Sequence, residues 1–290
     1  MGELPRRELL RKIAEEVYGP EKARRFWKRI DIIGDIAIIK KPFDVELEEL
    51  KPLAEALLAR LPYVKSVWAA SSPVEGMYRL RKFVHLAGEQ RSLTIHREYG
   101  CSFLVDITKV YISPRLSYEH YRVAKLVKPG EVVINMYAGA GLFSIIIARH
   151  AKPQRVYSID INPDAYQLMV HNVKMNKVED IVVPILGDAA KVVPETLRGT
   201  ANRILMPLPE LALEHLPAAL AGLREGRGVL HVYLHIFAEK GVDPRSRAVE
   251  TLVNRLEELG VKKHRVLLAR VVRTVGPRRS QVVVDVEVET

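Results

Sequence analysis

Alternation of apolar and polar positions divides this 290-residue chain into two regions of different character. In the first region, the Ile-rich run IDIIGDIAIIK (30–40) reads as two short strands, and leucines at helical spacing mark residues 46–61 as a helix. Further strand-like runs there cover residues 64–70, 92–98, 102–107 and 110–113. Near residue 116 the pattern changes to alternating strands and helices. We therefore predict a smaller α+β domain over residues 1–115 and a second domain over residues 116–290.

The second region has the pattern of an α/β sheet. Its predicted strands are residues 131–137, 155–160, 180–186, 202–208, 228–237, 264–273 and 280–289. Its predicted helices are residues 117–127, 141–150, 163–176, 209–224 and 245–259. Repeated βα units favour a doubly wound sheet with a mostly parallel core. The last two strands, joined by the turn-forming TVGPR, predict an antiparallel edge.

The sharpest chemical signal is a glycine turn, Ala138-Gly139-Ala140-Gly141, between a predicted strand and an apolar helix. Glycine lets the backbone turn tightly near a ligand, and the helix then presents its N-terminus to that ligand. The next strand ends in Asp160, placed to accept hydrogen bonds from ribose hydroxyls, and the third is followed by Asp188, which could accept an adenine amino group. Each carboxylate alone could be a helix N-cap, but the combination predicts a nucleotide-like cofactor.

The net charge of the chain indicates what kind of partner it binds. Lys and Arg number 45 against 35 acidic residues, which gives a net charge of +10 and favours contact with a polyanion. The basic residues of segment 6–29 could contact a phosphate backbone, or they could form the solvated face of amphipathic helices. The same two interpretations apply to a second basic cluster, which consists of Lys262, Lys263, Arg265, Arg278 and Arg279.

The cysteine content, the apolar runs and the composition indicate the cellular compartment, the absence of a metal and the source organism. The single cysteine, Cys101, cannot form an internal disulfide, and the sequence shows neither a signal-peptide pattern nor an apolar run of about 20 residues. We therefore expect a cytoplasmic protein without a membrane span. The histidines and the cysteine show no metal-ligand spacing, so we expect no metal. Only four Gln and six Asn occur, a bias typical of hyperthermophiles, which indicates an archaeal thermophile as the source.

Four segments make the identification more specific. They are YISPRLSYE (111–119), YAGAGLFS (137–144), DINPDAY (160–166) and NRILMPLP (202–209). In this combination the chain resembles the archaeal and eukaryotic tRNA (guanine-37-N1) methyltransferases and their wyosine-pathway relatives. The resemblance implies a class I, Rossmann-like methyltransferase fold, S-adenosylmethionine as cofactor, and tRNA as partner. It also implies methyl transfer to N1 of guanosine 37, next to the anticodon.

The resemblance further implies roles for individual residues. Guanine N1 must lose a proton before it can react, and the implied general base is Glu119. A cation near guanine O6 would stabilise the resulting charge; the matching position is Arg79, with Arg81 as a close rival. Tyr111 would lie near the target base. The residues implied for cofactor binding are Arg115, Tyr137, Gly139, Gly141, Asp160, Ile161 and Asp188.

Several positions depart from the family pattern. The family has Asn-Leu-Pro after the fourth strand, where the Asn helps to hold the target guanine, but this chain has Pro207-Leu208-Pro209. We still expect Pro207 and Pro209 to line the substrate site, although proline offers neither a side-chain amide nor a backbone N–H. Asn135 replaces a family Asp, and His120 replaces a family Arg. These departures affect which nucleobase is the target more than whether a methyl group is transferred.

Two other functions stay open at this point. The wyosine-pathway relatives transfer the aminocarboxypropyl group of the same cofactor to a modified guanosine and release methylthioadenosine. A non-catalytic tRNA-binding homologue would have kept the fold without the reaction. Our leading interpretation is a monomeric tRNA methyltransferase that releases S-adenosylhomocysteine.

Overall fold

The computed structural model describes the backbone of residues 6–290 and the side chains of residues 8–290. Residues 1–5 of the predicted first domain lie outside the described part. The chain divides into two compact units, Met1–Pro114 and Arg115–Thr290; the boundary expected from the sequence lay one residue later. Within the described residues, no helix combines the length and the apolar character needed to cross a membrane.

The first unit contains a four-stranded sheet and a separate hairpin. Its helices are α1 (Arg6–Tyr18), α2 (Pro20–Ala23) and α3 (Lys51–Arg60), and its strands are β1 (Ile30–Ile33), β2 (Ile36–Lys40), β3 (Ser66–Ala70), β4 (Phe83–Gly88), β5 (Leu93–Glu98) and β6 (Cys101–Asp106). The sheet order is β1-β2-β3-β4, in which only β2 and β3 pair in parallel. The crossover helix α3 and helix α1 bury Leu53, Leu57 and Leu10 in the core of this unit.

In this unit the sequence predicted one strand that does not form and missed one that does. Residues 110–113 form no strand, because the chain turns after β6: the N–H groups of Lys109 and Val110 both donate to the Asp106 carbonyl. Pro114 then begins a short 3-10 helix and cannot donate to a ladder. Strand β4 was not predicted, because its sequence, FVHLAG, lacks a clear apolar alternation and ends in Gly88.

The second unit contains a seven-stranded sheet with helices between its strands. The helices are α4 (Ser117–Leu126), α5 (Leu142–Ala151), α6 (Pro163–Met175), α7 (Ala189–Thr196), α8 (Leu216–Gly222) and α9 (Pro244–Glu258). The strands are β7 (Val132–Asn135), β8 (Arg155–Asp160), β9 (Val182–Leu186), β10 (Arg203–Met206), β11 (Arg227–Phe237), β12 (Lys263–Gly276) and β13 (Arg279–Glu289). The order is β12-β13-β11-β10-β7-β8-β9, and the five strands from β11 to β9 are parallel. Strand β13 runs antiparallel to both of its neighbours.

This topology confirms the predicted doubly wound sheet with an antiparallel edge. The chain proceeds outward from β7 to β8 and β9, and then returns to place β10 on the other side of β7. Ligands of such sheets bind at the carboxyl ends of the strands, where the order reverses. The fold therefore fixes in advance where a cofactor site can lie.

Two helices differ from the expectation. The helix expected over residues 209–224 is confined to Leu216–Gly222, because Pro217 has no N–H to bond to the preceding turn and so lies in the first turn of the helix. Helix α7 was not predicted. It is short and begins directly after Asp188, whose side chain is its N-cap.

Candidate functional site

The glycine turn between β7 and α5 allows a ligand to approach the backbone closely. Gly141 is the N-cap of α5 with φ of 91°, a conformation in which a residue with a side chain is strained. A Cβ on Gly141 would also lie 3.0 Å from Cγ of Met169. The side-chain amide of Asn172 donates to the Ala140 carbonyl at 3.0 Å and ties the turn to α6. The turn thus presents a helix N-terminus, where backbone N–H groups favour polar or anionic ligand groups.

Asp160, the last residue of β8, lies against this turn. Its carboxylate accepts the Gly139 N–H at 2.7 Å and the Asn162 N–H at 2.9 Å, one on each oxygen. Burial raises the pKa of Asp160, and these backbone donors partly offset that effect. A carboxylate oxygen can accept a second hydrogen bond. Asp160 is therefore oriented by the backbone and still able to accept hydroxyl groups of a ligand.

The end of β9 supplies a second carboxylate and an apolar surface. One oxygen of Asp188 accepts the Ala190 N–H at 2.9 Å, so Asp188 is the N-cap of α7. Ile161 is 38% exposed and Leu186 is 48% exposed, each at the carboxyl end of its strand. Apolar side chains flanked by carboxylates suit a flat heteroaromatic base that carries an amino donor.

Tyr137 and the proline segment complete this edge of the sheet. The Tyr137 hydroxyl hydrogen-bonds Nδ1 of His215 at 2.7 Å. Burial, with the nearby charges of Asp188 and Glu214, raises the pKa of Tyr137, so its phenol stays protonated. Pro207 follows β10 directly and is half-buried, as is Pro209. The edge therefore brings together residues from the ends of four adjacent parallel strands.

Glu119, in the first turn of α4, carries a buried carboxyl group. Its side chain is 1% exposed. One oxygen accepts Nε of Arg122 at 3.0 Å and the hydroxyl of Tyr233 at 2.9 Å. The other oxygen accepts Nη1 of Arg270. The three donors come from α4, β11 and β12, and they hold the carboxylate in one orientation.

A chain of alternating charges continues from Arg122 through the interior. Arg122 donates to both Asp285 oxygens, at 2.5 and 3.3 Å, and Asp285 contacts Nδ1 of His231 at 2.6 Å. Nη1 of Arg203 contacts Nε2 of His231 at 2.8 Å, and Arg203 also pairs with Glu131 at 2.9 Å. We call this set the buried charge ladder; its members are Arg270, Glu119, Arg122, Asp285, His231, Arg203 and Glu131.

The ladder fixes the protonation state of His231. Arg203 can only donate, so Nε2 of His231 must accept, and the proton of the neutral ring then lies on Nδ1 and is donated to Asp285. Burial lowers the pKa of His231, and the positive charges of Arg203 and Arg122 add to that effect against the attraction of Asp285. Burial opposes ionisation of Asp285, but its interactions with His231 and Arg122 outweigh burial and lower its pKa to about 2.

Ring contacts connect the ladder with the glycine turn. His120, next to Glu119, packs edge-on against Phe143 in the first turn of α5 at 4.5 Å between ring centroids. Phe143 in turn contacts the ring of Tyr233 at 6.1 Å. The first turns of α4 and α5 are therefore neighbours, and Glu119 lies beside the turn that carries Gly141.

The remaining predicted residues occupy separate places. Arg115 is exposed in the 3-10 helix just before α4. Arg79 and Tyr111 belong to the first unit: Arg79 lies in a turn between β3 and β4 with φ of 57°, and Tyr111 follows β6 and is 36% exposed. Asn135, where the family has Asp, is buried and donates to the Ser144 hydroxyl at 3.1 Å. Among the residues described, none of the His, Cys, Asp and Glu side chains cluster as a metal site.

Sequence reasoning missed most of the ladder. His231 and Asp285 each interrupt an apolar run, as in VVVDV around Asp285, whereas Arg203 begins its strand and Arg270 is one of several basic residues in β12. A charge in such a run is rare unless it is paired, so the interruption itself was the available signal. Which charge pairs with which follows only from strand order.

Family models match nearly the whole chain. The model described as the TRM5/TYW2 methyltransferase domain matches residues 94–268, and the model described as the TYW2 N-terminal domain matches residues 8–91.

Two relatives illustrate the range of activities. The chain is 45% identical over 262 residues to the tRNA 4-demethylwyosine(37)-methyltransferase Taw21 of Saccharolobus solfataricus, which covers 90% of this chain and 94% of that protein. It is 41% identical over 279 residues to the tRNA (guanine(37)-N(1))-methyltransferase Trm5b of Pyrococcus abyssi, which covers 94% of this chain and 79% of the relative.

Solved structures agree with this likeness. The complex of aTrm5 with tRNALeu superposes with a TM-score of 0.84 at 32% identity and covers 100% of this chain and 80% of that one. The structure of Methanocaldococcus jannaschii TYW2 in complex with AdoMet superposes with a TM-score of 0.66 at 28% identity, covering 90% of this chain and 99% of that one.

The neutral state of His231 predicts a pH dependence of stability. The unfolded chain takes up a proton on this residue below about pH 6.5, whereas the folded chain resists it, so folding free energy is lost as the pH falls from that value. For one such group the loss approaches about 1.4 kcal/mol per pH unit. Denaturant unfolding at pH 7.5, 6.0 and 5.0 should show a shallower acid slope in His231→Gln than in the parent chain. The exposed His171→Gln is the control, and an unchanged slope in His231→Gln would contradict the assignment.

Proposed function

The chain belongs to the TRM5/TYW2 methyltransferase family, and from that membership we propose that it is an S-adenosylmethionine-dependent tRNA methyltransferase acting on the guanosine-derived base at position 37. The observation that carries the proposal is the carboxyl edge of the second unit's sheet. There a glycine turn, two oriented carboxylates and exposed apolar side chains lie side by side.

The residues present fit S-adenosylmethionine. Asp160 is oriented to accept the ribose hydroxyls, and Asp188 with Ile161 and Leu186 suits the adenine. The helix N-terminus at Gly141 lies beside them and suits the carboxylate end of the cofactor. When bound, the cofactor supplies an electrophilic methyl group on a positively charged sulfur. The chain's own contribution is to hold the acceptor base in line with that methyl group and to receive the proton that the base gives up.

The first candidate for the target base is 4-demethylwyosine. Support comes from the Saccharolobus relative, which this chain matches over 94% of that protein's length. Pro207 adds a second argument, because it offers no amide to recognise an unmodified guanine. In 4-demethylwyosine, guanine N1 belongs to a third fused ring and carries no proton. Transfer to a carbon of that ring needs no proton removed before attack.

The second candidate is N1 of guanosine 37, as the motifs imply and as the Pyrococcus relative's name states for that protein. For this reaction the family motifs imply Glu119 as general base and Arg79 and Tyr111 as contacts of the target base. Glu119 is suitably fixed, but both of its oxygens already accept hydrogen bonds, one from Arg122 and Tyr233 and the other from Arg270. In either reaction one of these donors must shift before Glu119 can receive a proton. Guanine N1 must lose its proton before it attacks, whereas a ring carbon loses its proton only after the methyl group has been transferred.

Nucleoside analysis tests the function and the choice of base together. The chain is incubated with methyl-labelled S-adenosylmethionine and two substrates: an unmodified transcript with guanosine 37, and tRNA carrying 4-demethylwyosine. We expect label at position 37, S-adenosylhomocysteine as the co-product, and faster transfer to 4-demethylwyosine. Label only on guanine N1 would overturn the first candidate in favour of the second. Methylthioadenosine as the co-product would mean aminocarboxypropyl transfer, and absence of any product would contradict the enzyme proposal.

Removal of the Asp160 carboxylate should weaken cofactor binding. Each lost hydrogen bond to a ligand is worth about 1–3 kcal/mol, so Asp160→Ala should raise the dissociation constant of S-adenosylmethionine roughly 5- to 100-fold in calorimetry. Asp180→Ala is a matched control, because Asp180 is exposed and precedes β9 at the opposite end of the strands. Equal affinity in the two variants would remove Asp160 from the cofactor site.

Glu119→Gln tests the proton acceptor. The amide cannot take a proton, so turnover should fall by about 10²-fold or more, while the affinity for S-adenosylmethionine stays within about twofold. Glu131→Gln is the control, because it removes a carboxylate from the far end of the buried charge ladder. If both variants lose turnover equally, or if Glu119→Gln stays near the parent rate, Glu119 is not the proton acceptor.

A further inference from the structure

Beside the buried Glu119, an aromatic ring and a guanidinium group form a stacked pair on the surface. Cζ of Arg270 lies 4.1 Å from the centroid of the Tyr118 ring. Tyr118 is 57% exposed although a guanidinium covers part of it. The two residues are 152 positions apart in sequence, on α4 and β12, so the fold and not local sequence brings them together.

The position of Arg270 over the Tyr118 ring is fixed by buried residues behind it. Arg270 donates to Glu119, whose carboxylate is itself held by Arg122 and Tyr233. An exposed arginine ordinarily samples many rotamers, and ordering it for a ligand costs conformational entropy. Because the bond to Glu119 already orders Arg270, its guanidinium lies over the ring before any ligand binds, and little further entropy is lost on binding.

The surroundings of Arg270 carry a strong positive bias. Segment 262–279, which includes β12, contains seven Lys and Arg residues and no Asp or Glu. Some of these charges are balanced across the strand pair, as Arg265 is by Glu287 and Lys263 by Glu289. Arg270 instead pairs with the buried Glu119 carboxylate, and its guanidinium carbon lies over the Tyr118 ring. Tyr118 and Arg270 thus place a flat π surface beside a basic strand. Proteins that bind single-stranded nucleic acid combine these two features.

We propose that Tyr118 and Arg270 form a stacking platform for one unpaired nucleobase of the RNA substrate. The inference rests on the proposed action on tRNA and adds a binding subsite to it. A base splayed out of its strand loses its stacking neighbours, and an exposed ring or guanidinium plane restores them. Because Arg270 contacts both the Glu119 carboxylate and the Tyr118 ring, the platform holds its base close to the carboxylate that receives the proton.

Tyrosine variants test the platform. Base stacking on one aromatic ring contributes enough that Tyr118→Ala should raise KM and the dissociation constant for tRNA about 5- to 100-fold. Tyr118→Phe, which keeps the ring, should restore most of this loss. The slope of binding against salt should not change, because no charge is removed. Tyr63→Ala, at a tyrosine that is 48% exposed in the first unit, is the matched control.

A fluorescent base reports stacking directly. Anticodon stem-loops carrying 2-aminopurine at position 36, 37 or 38 are titrated with the parent chain, and one of them should be quenched in a manner that Tyr118→Ala abolishes and Tyr118→Phe retains. If the parent chain binds and modifies tRNA but Tyr118→Ala matches it in KM and quenching, the platform is wrong and the proposed function stands. If the parent chain binds no RNA, the proposed function itself fails. A loss of S-adenosylmethionine affinity in Tyr118→Ala would also overturn the platform, since it would indicate a general structural role.

Discussion

The buried charge ladder is the constraint on which the substrate side of this molecule depends. Its seven side chains alternate in sign around one neutral histidine, and five of them are nine-tenths or more buried. Removal of ions from water is costly, and a single unpaired member would cost about 3–5 kcal/mol. Each member therefore holds its neighbours. Helix α4 can dock only where Arg122 reaches Asp285 and Glu119 reaches Tyr233, which fixes the helix against the antiparallel part of the sheet.

The cofactor side follows a different principle. There the backbone does most of the positioning: amides of the glycine turn and of the α6 N-terminus orient Asp160, and the amide of Ala190 orients Asp188. These contacts are short-range consequences of parallel strands ending at one edge. The ring contacts through His120 and Phe143 join the two sides, so the backbone-built cofactor edge and the charge-built ladder share a boundary at the first turns of α4 and α5.

This difference decides what the sequence could reveal. The glycine turn, Asp160 and the order of βα units are local patterns, and from them the sheet, its antiparallel edge and the cofactor edge could be derived. The partner of Glu119 could not, because Arg270 lies 151 residues away and its strand could have paired in another register. Local patterning also failed where tertiary contacts override it: residues 110–113 have β-branched residues but no partner strand, and β4 has a partner strand but little alternation.

Charge balance also bears on the choice of target base. The ladder contains three guanidinium groups and three carboxylates, and His231 is neutral, so its formal charge is zero. Arg122 and Tyr233 already donate to one Glu119 oxygen and Arg270 to the other, so a substrate proton can reach this carboxylate only where one of these donors gives way. Guanine N1 is a weak acid and must give up its proton before methyl transfer. When a ring carbon has received the methyl group, the conjugated ring carries the positive charge and that carbon releases its proton readily, so a carboxylate that is already hydrogen-bonded is a sufficient acceptor. A carboxylate whose two oxygens are both hydrogen-bonded therefore favours transfer to a carbon of a tricyclic base over transfer to guanine N1.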